Sequence, residues 1–158
     1  MKRTRKLFLA VLLLGALLLL AGCGGKQEAK SADLQKLYDA LLALPDMPEM
    51  LPLTEKRIRN YYGIDPDACP QVLLAVCSDG LLVDEIWLVE TGSEDAAKAL
   101  VETAKSRVEQ LCTETENYLP DQYVVAKDGR TVQIGSSMAL FVSPQAETMV
   151  KLFQEAFQ

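Results

Sequence analysis

The residues able to do chemistry in this chain are carboxylates, thiols, hydroxyls, lysines and tyrosines, because its 158 residues contain no His. That removes the commonest general base and the commonest transition-metal ligand together. Glu85, Glu90, Glu94 and Asp95 gather around one apolar segment, and such a set is where an acid and a base for glycosidic-bond hydrolysis would come from. A carboxylate enzyme would need Asp84, Glu85, Glu90 and Asp121 to converge in one cleft. Asp65-Pro66-Asp67 lacks the Gly and the distal Glu of a calcium loop and reads as a solvated turn. Ser136, Ser137 and Ser143 have no His to activate them, and Gly135-Ser136 is not a GxSxG elbow. With no GxGxxG or Walker loop either, no cofactor is expected.

The thiols stand at Cys23, Cys69, Cys77 and Cys112. If 71–77 is one extended strand, Cys69 and Cys77 lie about 20 Å or more apart, against a disulfide limit of about 7 Å. Cys77 and Cys112 are either small core residues or partners in a packed bridge. Dispersed thiols without a CxxC pair make no zinc site, and Met47 and Met50 without His make no copper site.

Cys23 is a separate case. Residues 2–6 are basic, Leu7 to Leu20 are almost wholly apolar, and Ala21 and Gly22 lead into the Cys, which are the three zones of a secretory signal. An apolar helix of about 14 residues spans about 21 Å, short of the roughly 30 Å hydrocarbon core, so a cleaved leader is favoured over a membrane span. Leu20-Ala21-Gly22-Cys23 resembles the lipobox of bacterial lipoproteins. The resemblance implies that Cys23 is diacylated on sulfur and becomes the N-terminus after cleavage. Residues 1–22 are then the signal peptide, 23–31 the lipidated N-terminus and tether, and 32–158 a single globular domain. Fully extended, the small polar stretch GGKQEAKS reaches about 27 Å.

Charge narrows the partners. The 16 Lys plus Arg against 22 Asp plus Glu give a net charge of −6; four of the cations lie within the first six residues, so 12 against 22 leaves −10 for the rest. A body this acidic repels phosphate backbones and argues against nucleic-acid binding.

The elements that must position any site follow from periodicity. Leu34, Leu37, Tyr38, Leu41 and Leu42 predict a helix over about 32–44, capped by Ser31 and stopped by Pro45. Pro45, Pro48 and Pro52 make a stiff, irregular connector, and a short helix runs from Thr54 to Gly63. Segments 71–78 and 84–91 are apolar strands of a hairpin around Asp79-Gly80. Ser93 opens a long amphipathic helix ending near Pro120, with Arg107 on its polar side. Residues 123–127, 131–134 and 138–142 read as further strands, and Pro144 starts a last helix. The order predicts an α+β fold: an antiparallel sheet of four to five strands with helices packed on it, preceded by an N-terminal helix and a Pro-rich connector. The segments 85–104 and 138–157 resemble each other enough to suggest a duplicated strand-strand-helix unit.

These strands do not alternate apolar with polar, so both sheet faces look apolar. The long and final helices are expected on one face. Either the first helix and connector cover the other, or part of it, with Trp87, Met47 and Met50, is a partner-binding face.

LYDALLALPDMPEMLPLTEKRIRNYYGID, EIWLVETGSEDAAKALVETAKSRVEQL, YLPDQY and VKLFQEAF together resemble a family of clostridial and related Gram-positive lipoproteins whose globular region is a domain of unknown function. The resemblance implies a single-membrane envelope and an outward-facing domain, and it supplies no catalytic residue. The expectation is a membrane-anchored extracytoplasmic lipoprotein acting as a noncatalytic binding module, with the membrane and an envelope protein as partners. The alternatives are a small carboxylate hydrolase or a solute receptor for a transporter, although about 136 residues is small for a two-lobed receptor.

Overall fold

The computed structural model describes residues 32–158; the leader, Cys23, the tether and Ser31 lie outside the described residues. Helix α1 is Leu34–Leu42, and its cap is Asp33, whose Oδ1 accepts from Lys36 N at 3.0 Å. Strand β1 is Met50–Pro52, inside what sequence suggested was an irregular connector. It pairs antiparallel with β2 (Gln71–Cys77), with Met50 opposite Cys77 and Pro52 opposite Ala75. A Pro fits there because β1 is an edge strand, whose outer side needs no ladder donor. Between them lie α2 (Glu55–Tyr62), closed by Gly63 at φ 66°, and a single 3-10 turn at Pro66–Ala68. Thr54 occupies the cap position of α2 without a side-chain hydrogen bond.

Strand β3 (Glu85–Glu90) forms the expected hairpin with β2, Leu73 facing Leu88. Helix α3 (Glu94–Thr115) begins where expected, with Ser93 Oγ accepting from Ala96 N at 3.2 Å. The strand expected over 123–127 is instead helix α4 (Pro120–Lys127). Local β-propensity of Tyr-Val-Val gave way to Pro120 at the first helical turn, a position that tolerates its missing N–H. The i to i−4 bond from Tyr123 N to Leu119 O, 2.9 Å, starts the turn. Gly129 then lets the chain pass close to its neighbours: a Cβ there would lie 3.0 Å from Ala126 O and 3.1 Å from Val108 Cγ2. Strands β4 (Arg130–Ile134) and β5 (Ser137–Val142) form a tight hairpin through Gly135 at φ 56°, and α5 (Ala146–Ala156) ends the chain.

All pairings are antiparallel and the sheet order is β1-β2-β3-β5-β4. The fold is α+β, with five strands and five α-helices among the described residues. Side chains alternate between two buried layers. Ile86, Leu88, Ala139 and Phe141 meet α1 and α5 on one face, through Leu37, Leu41, Met149 and Phe153. Trp87, Val89, Met138, Leu140 and Val142 meet α2, α3 and α4 on the other, through Ile58, Ala104, Leu111 and Ala126. This explains an antiparallel sheet whose central strands are apolar throughout. It also corrects the expected layering, since the long and final helices cover opposite faces. A two-fold axis relating adjacent antiparallel strands must stand perpendicular to the sheet and would put both helices on one face. The two strand-strand-helix units are therefore not related by such an axis.

Trp87 is 1% exposed, meets Tyr62 edge-on at 5.5 Å between centroids, and packs with Ile58 and Ile64. Met47 and Met50 are half-buried against the opposite layer. The partner-binding face suggested by Trp87, Met47 and Met50 is therefore not a surface: the three lie on different sides of the sheet, and the tryptophan is covered by the α2 segment. No helix among the described residues is long and apolar enough to cross a membrane.

Candidate functional site

Position 85 begins β3 on the Trp87 face, so its carboxylate enters a buried layer and must find donors there. Helix α3 supplies them. Its buried residues Ala104 and Leu111 are seven apart, and Arg107 falls three after the first and four before the second, on the same stripe. Arg107 Nη2 donates to Glu85 Oε2 at 2.9 Å and Nε donates to Oε2 at 3.1 Å, while Trp87 Nε1 donates to Oε1 at 2.6 Å. The Glu85 side chain is 2% exposed and that of Arg107 20%. The guanidinium also lies 5.5 Å from the Tyr62 ring centroid. Burial, followed by the Glu85 charge, pushes the Tyr62 hydroxyl up to about 12, so it stays protonated at neutral pH. Burial opposes the Arg107 charge, but the hydrogen bonds and charge of Glu85 outweigh it and raise its pKa. Both oxygens of the Glu85 carboxylate are thus engaged. Glu85 is not a free base.

Arg107 was expected on the polar side of its helix, and sequence reasoning missed this pair. The available signal was an ion at a stripe position, facing a Glu that opens an otherwise apolar strand.

Around the pair run three concavities that share walls. One of about 300 Å³ is lined by Cys77, Asp84, Glu85, Arg107 and Glu114 among others. Arg107 also lines a second, of about 230 Å³, with Arg57 and Tyr62. Leu82 and Asp84 also line a third, of about 460 Å³, with Asp46, Gln122, Ser143 and Gln145. Loops place these residues together: Gln122 Oε1 accepts from Val83 N at 3.1 Å, and Gln145 Nε2 donates to Pro45 O at 2.7 Å. The result is a groove along one rim of the sheet.

Asp84 is the unusual member. It is 5% exposed, and its Oδ1 is buried without a hydrogen-bond partner in the protein. Burial raises its carboxyl above the ordinary 3.8, with the Ser143 hydroxyl pulling the other way. A raised folded pKa means that the native state holds the proton to higher pH than the unfolded chain does. Stability from this group therefore falls as pH climbs from about 3.8 through the folded value, and the penalty is constant above that. Asp84→Asn is expected to stabilise the protein by about 1 kcal/mol at pH 7, with the gain shrinking toward pH 4. Urea unfolding at the two pH values checks this; a destabilised variant, or a pH-independent difference, would contradict it.

The four carboxylates proposed for catalysis do not converge. Asp84 and Glu85 line one cavity, but Glu90 is at the far end of β3, about 17 Å away along the strand. Asp121 is exposed in the first turn of α4, as are Glu94 and Asp95 in that of α3. Cys69, Cys77 and Cys112 are free thiols, so the Cys77–Cys112 bridge is not formed. Cys77 lines the groove, and Cys69 and Cys112 pack against the α3 layer. Ser143 is 2% exposed, and its Oγ accepts from Gln145 N at 3.2 Å. Asp65 and Asp67 both pair with Arg59, and no group of three or more His, Cys, Asp or Glu among the described residues is placed to hold a metal ion.

A family model described as a domain of unknown function (DUF4358) matches residues 44–143. The match takes in the whole sheet with α2, α3 and α4, and every groove residue named here except Gln145; α1 and α5 fall outside it. No curated protein and no solved structure matches the chain.

Proposed function

The chain belongs to the DUF4358 family, a domain of unknown function, and from that premise we propose that it is a lipid-anchored, extracytoplasmic binding module of a Gram-positive cell envelope. Its lipoprotein character rests on Leu20-Ala21-Gly22-Cys23 at the end of an apolar run behind a basic start, and its kinship with clostridial lipoproteins on the resemblance carried by LYDALLALPDMPEMLPLTEKRIRNYYGID and the later segments of the globular region. Two acyl chains on Cys23 make a stable anchor, where one alone binds marginally. The eight-residue polar tether keeps the domain within about 27 Å of the membrane.

The observation that carries binding over catalysis is the state of the groove's carboxylates. Glu85, the acid beside Asp84, is saturated by Arg107 and Trp87 and is not available to complete a hydrolytic pair with it, while Asp84 is buried with one oxygen unpartnered. A buried acceptor without a partner suits a ligand that supplies the donor.

Cys23→Ser is expected to move the protein from the membrane fraction to released material or unprocessed precursor, with loss of metabolically incorporated palmitate. Fractionation with immunoblotting reads this, and mature, membrane-retained Cys23→Ser protein would defeat the anchor. Crosslinking in intact cells then tests the binding role: one recurrent envelope neighbour supports it, and absence of any neighbour above a tether-only control counts against it.

A further inference from the structure

The ligand class can be narrowed, on the premise that the groove is a binding site. We propose that the cavity between the β2–β3 loop, α4 and the turn into α5 receives a primary alkylammonium group, with the Asp84 carboxylate as its counter-ion. The cavity holds about 460 Å³ and contains two carboxylates, Asp46 and Asp84, but no Lys or Arg. Asp84 is buried and its Oδ1 has no partner, whereas Glu85 beside it is fully engaged. An unmatched buried carboxylate oxygen is costly, and a cationic donor from a ligand removes that cost.

The donor's chemistry follows from what surrounds the carboxylate. Its Oδ1 is buried and has no partner within the protein, which leaves one oxygen unmatched. A guanidinium achieves its advantage through two parallel hydrogen bonds to both oxygens, so a compact ammonium, which needs one, fits better. A divalent cation needs several hard oxygen ligands, and the described residues hold no group of three or more acidic or thiol side chains suited to it. Leu82, Val125 and Pro144 form apolar walls, which suit the methylene stem behind an ammonium group.

The test uses the full-length lipidated chain in detergent, titrated calorimetrically with cadaverine, with L-lysine, and with 1,5-pentanediol, the neutral analogue of cadaverine. Saturable binding of at least one amine, no binding of the diol, and a tenfold or greater loss in Asp84→Asn support the proposal. Leu82→Lys, at an exposed loop position lining the cavity, places a competing ammonium at the site and should weaken binding comparably. Equal binding of amine and diol, no saturable amine binding, or full affinity in both variants would overturn it. These failures leave membrane anchoring and neighbour capture intact, so they are distinguishable from failure of the binding-module reading.

Discussion

Arg107→Ala is expected to destabilise the domain by about 3–5 kcal/mol, because it strands the Glu85 carboxylate in a layer where only 2% of that side chain is exposed. The loss is not the worth of the ion pair. Bringing two charges together inside a protein gains little over leaving both in water, but removing one leaves the other desolvated and unmatched. Trp87 Nε1 still donates to Oε1 in the variant, which is too little to hold a full charge. The double variant Glu85→Gln with Arg107→Met separates these effects. The amide introduced by Glu85→Gln keeps an acceptor for the indole and carries no charge, so the pair of changes should recover more than half of the single-variant loss. Denaturant unfolding followed by circular dichroism measures both. A cost below about 1 kcal/mol for Arg107→Ala would mean that the pair behaves as a solvated surface contact, and no recovery in the double variant would mean that Arg107 acts through packing.

Phe153→Ala is expected to cost a similar amount, about 3–5 kcal/mol, on the opposite face of the sheet. Phe153 is 0% exposed, and its ring lies 6.4 Å from that of Phe141 and 4.9 Å from that of Phe157. Truncation leaves a cavity beside Phe141, Met149 and α1 that the surrounding packed side chains close only in part. The result bears on the family. Phe153 lies in α5, beyond the matched residues 44–143, so a large loss would show that the second helical layer is integral to this domain. A loss under about 1 kcal/mol would mean that α5 is an appendage and that the sheet stands with one helical layer. The unfolding midpoint by tryptophan fluorescence is a suitable readout, because Trp87 lies in the other layer and reports only the cooperative transition.

What could be read along the chain was whatever depends on neighbours a few residues away. The stripes at Leu34, Leu37 and Leu41 and at Ala146, Met149 and Phe153, the cap at Ser93, the left-handed closure at Gly63 and the 71–77/85–90 hairpin are all of this kind. So is the apolar character of both sheet faces, which left a second helical cover and a partner-binding face as the alternatives. The exceptions show the limit of local signals. Val124 and Val125 favour a strand in isolation, yet Pro120 and the packing of Ala126 under α3 make the segment helical. Which helix takes which face was not readable either, because apolar stripes are interchangeable as patterns; only the paths between the elements set α3 and α5 on opposite sides.

The groove needed the tertiary structure altogether. Arg107 reaches Glu85 across 22 residues, Gln122 reaches Val83 across 39, and Gln145 reaches Pro45 across 100. Asp84 is one acid among many until the β2–β3 loop and the turn into α5 bury it. Helical and strand periods report which residues turn inward, since they arise from backbone geometry repeated every few residues. They do not report what is met there, because that is decided by how separate elements pack against one another.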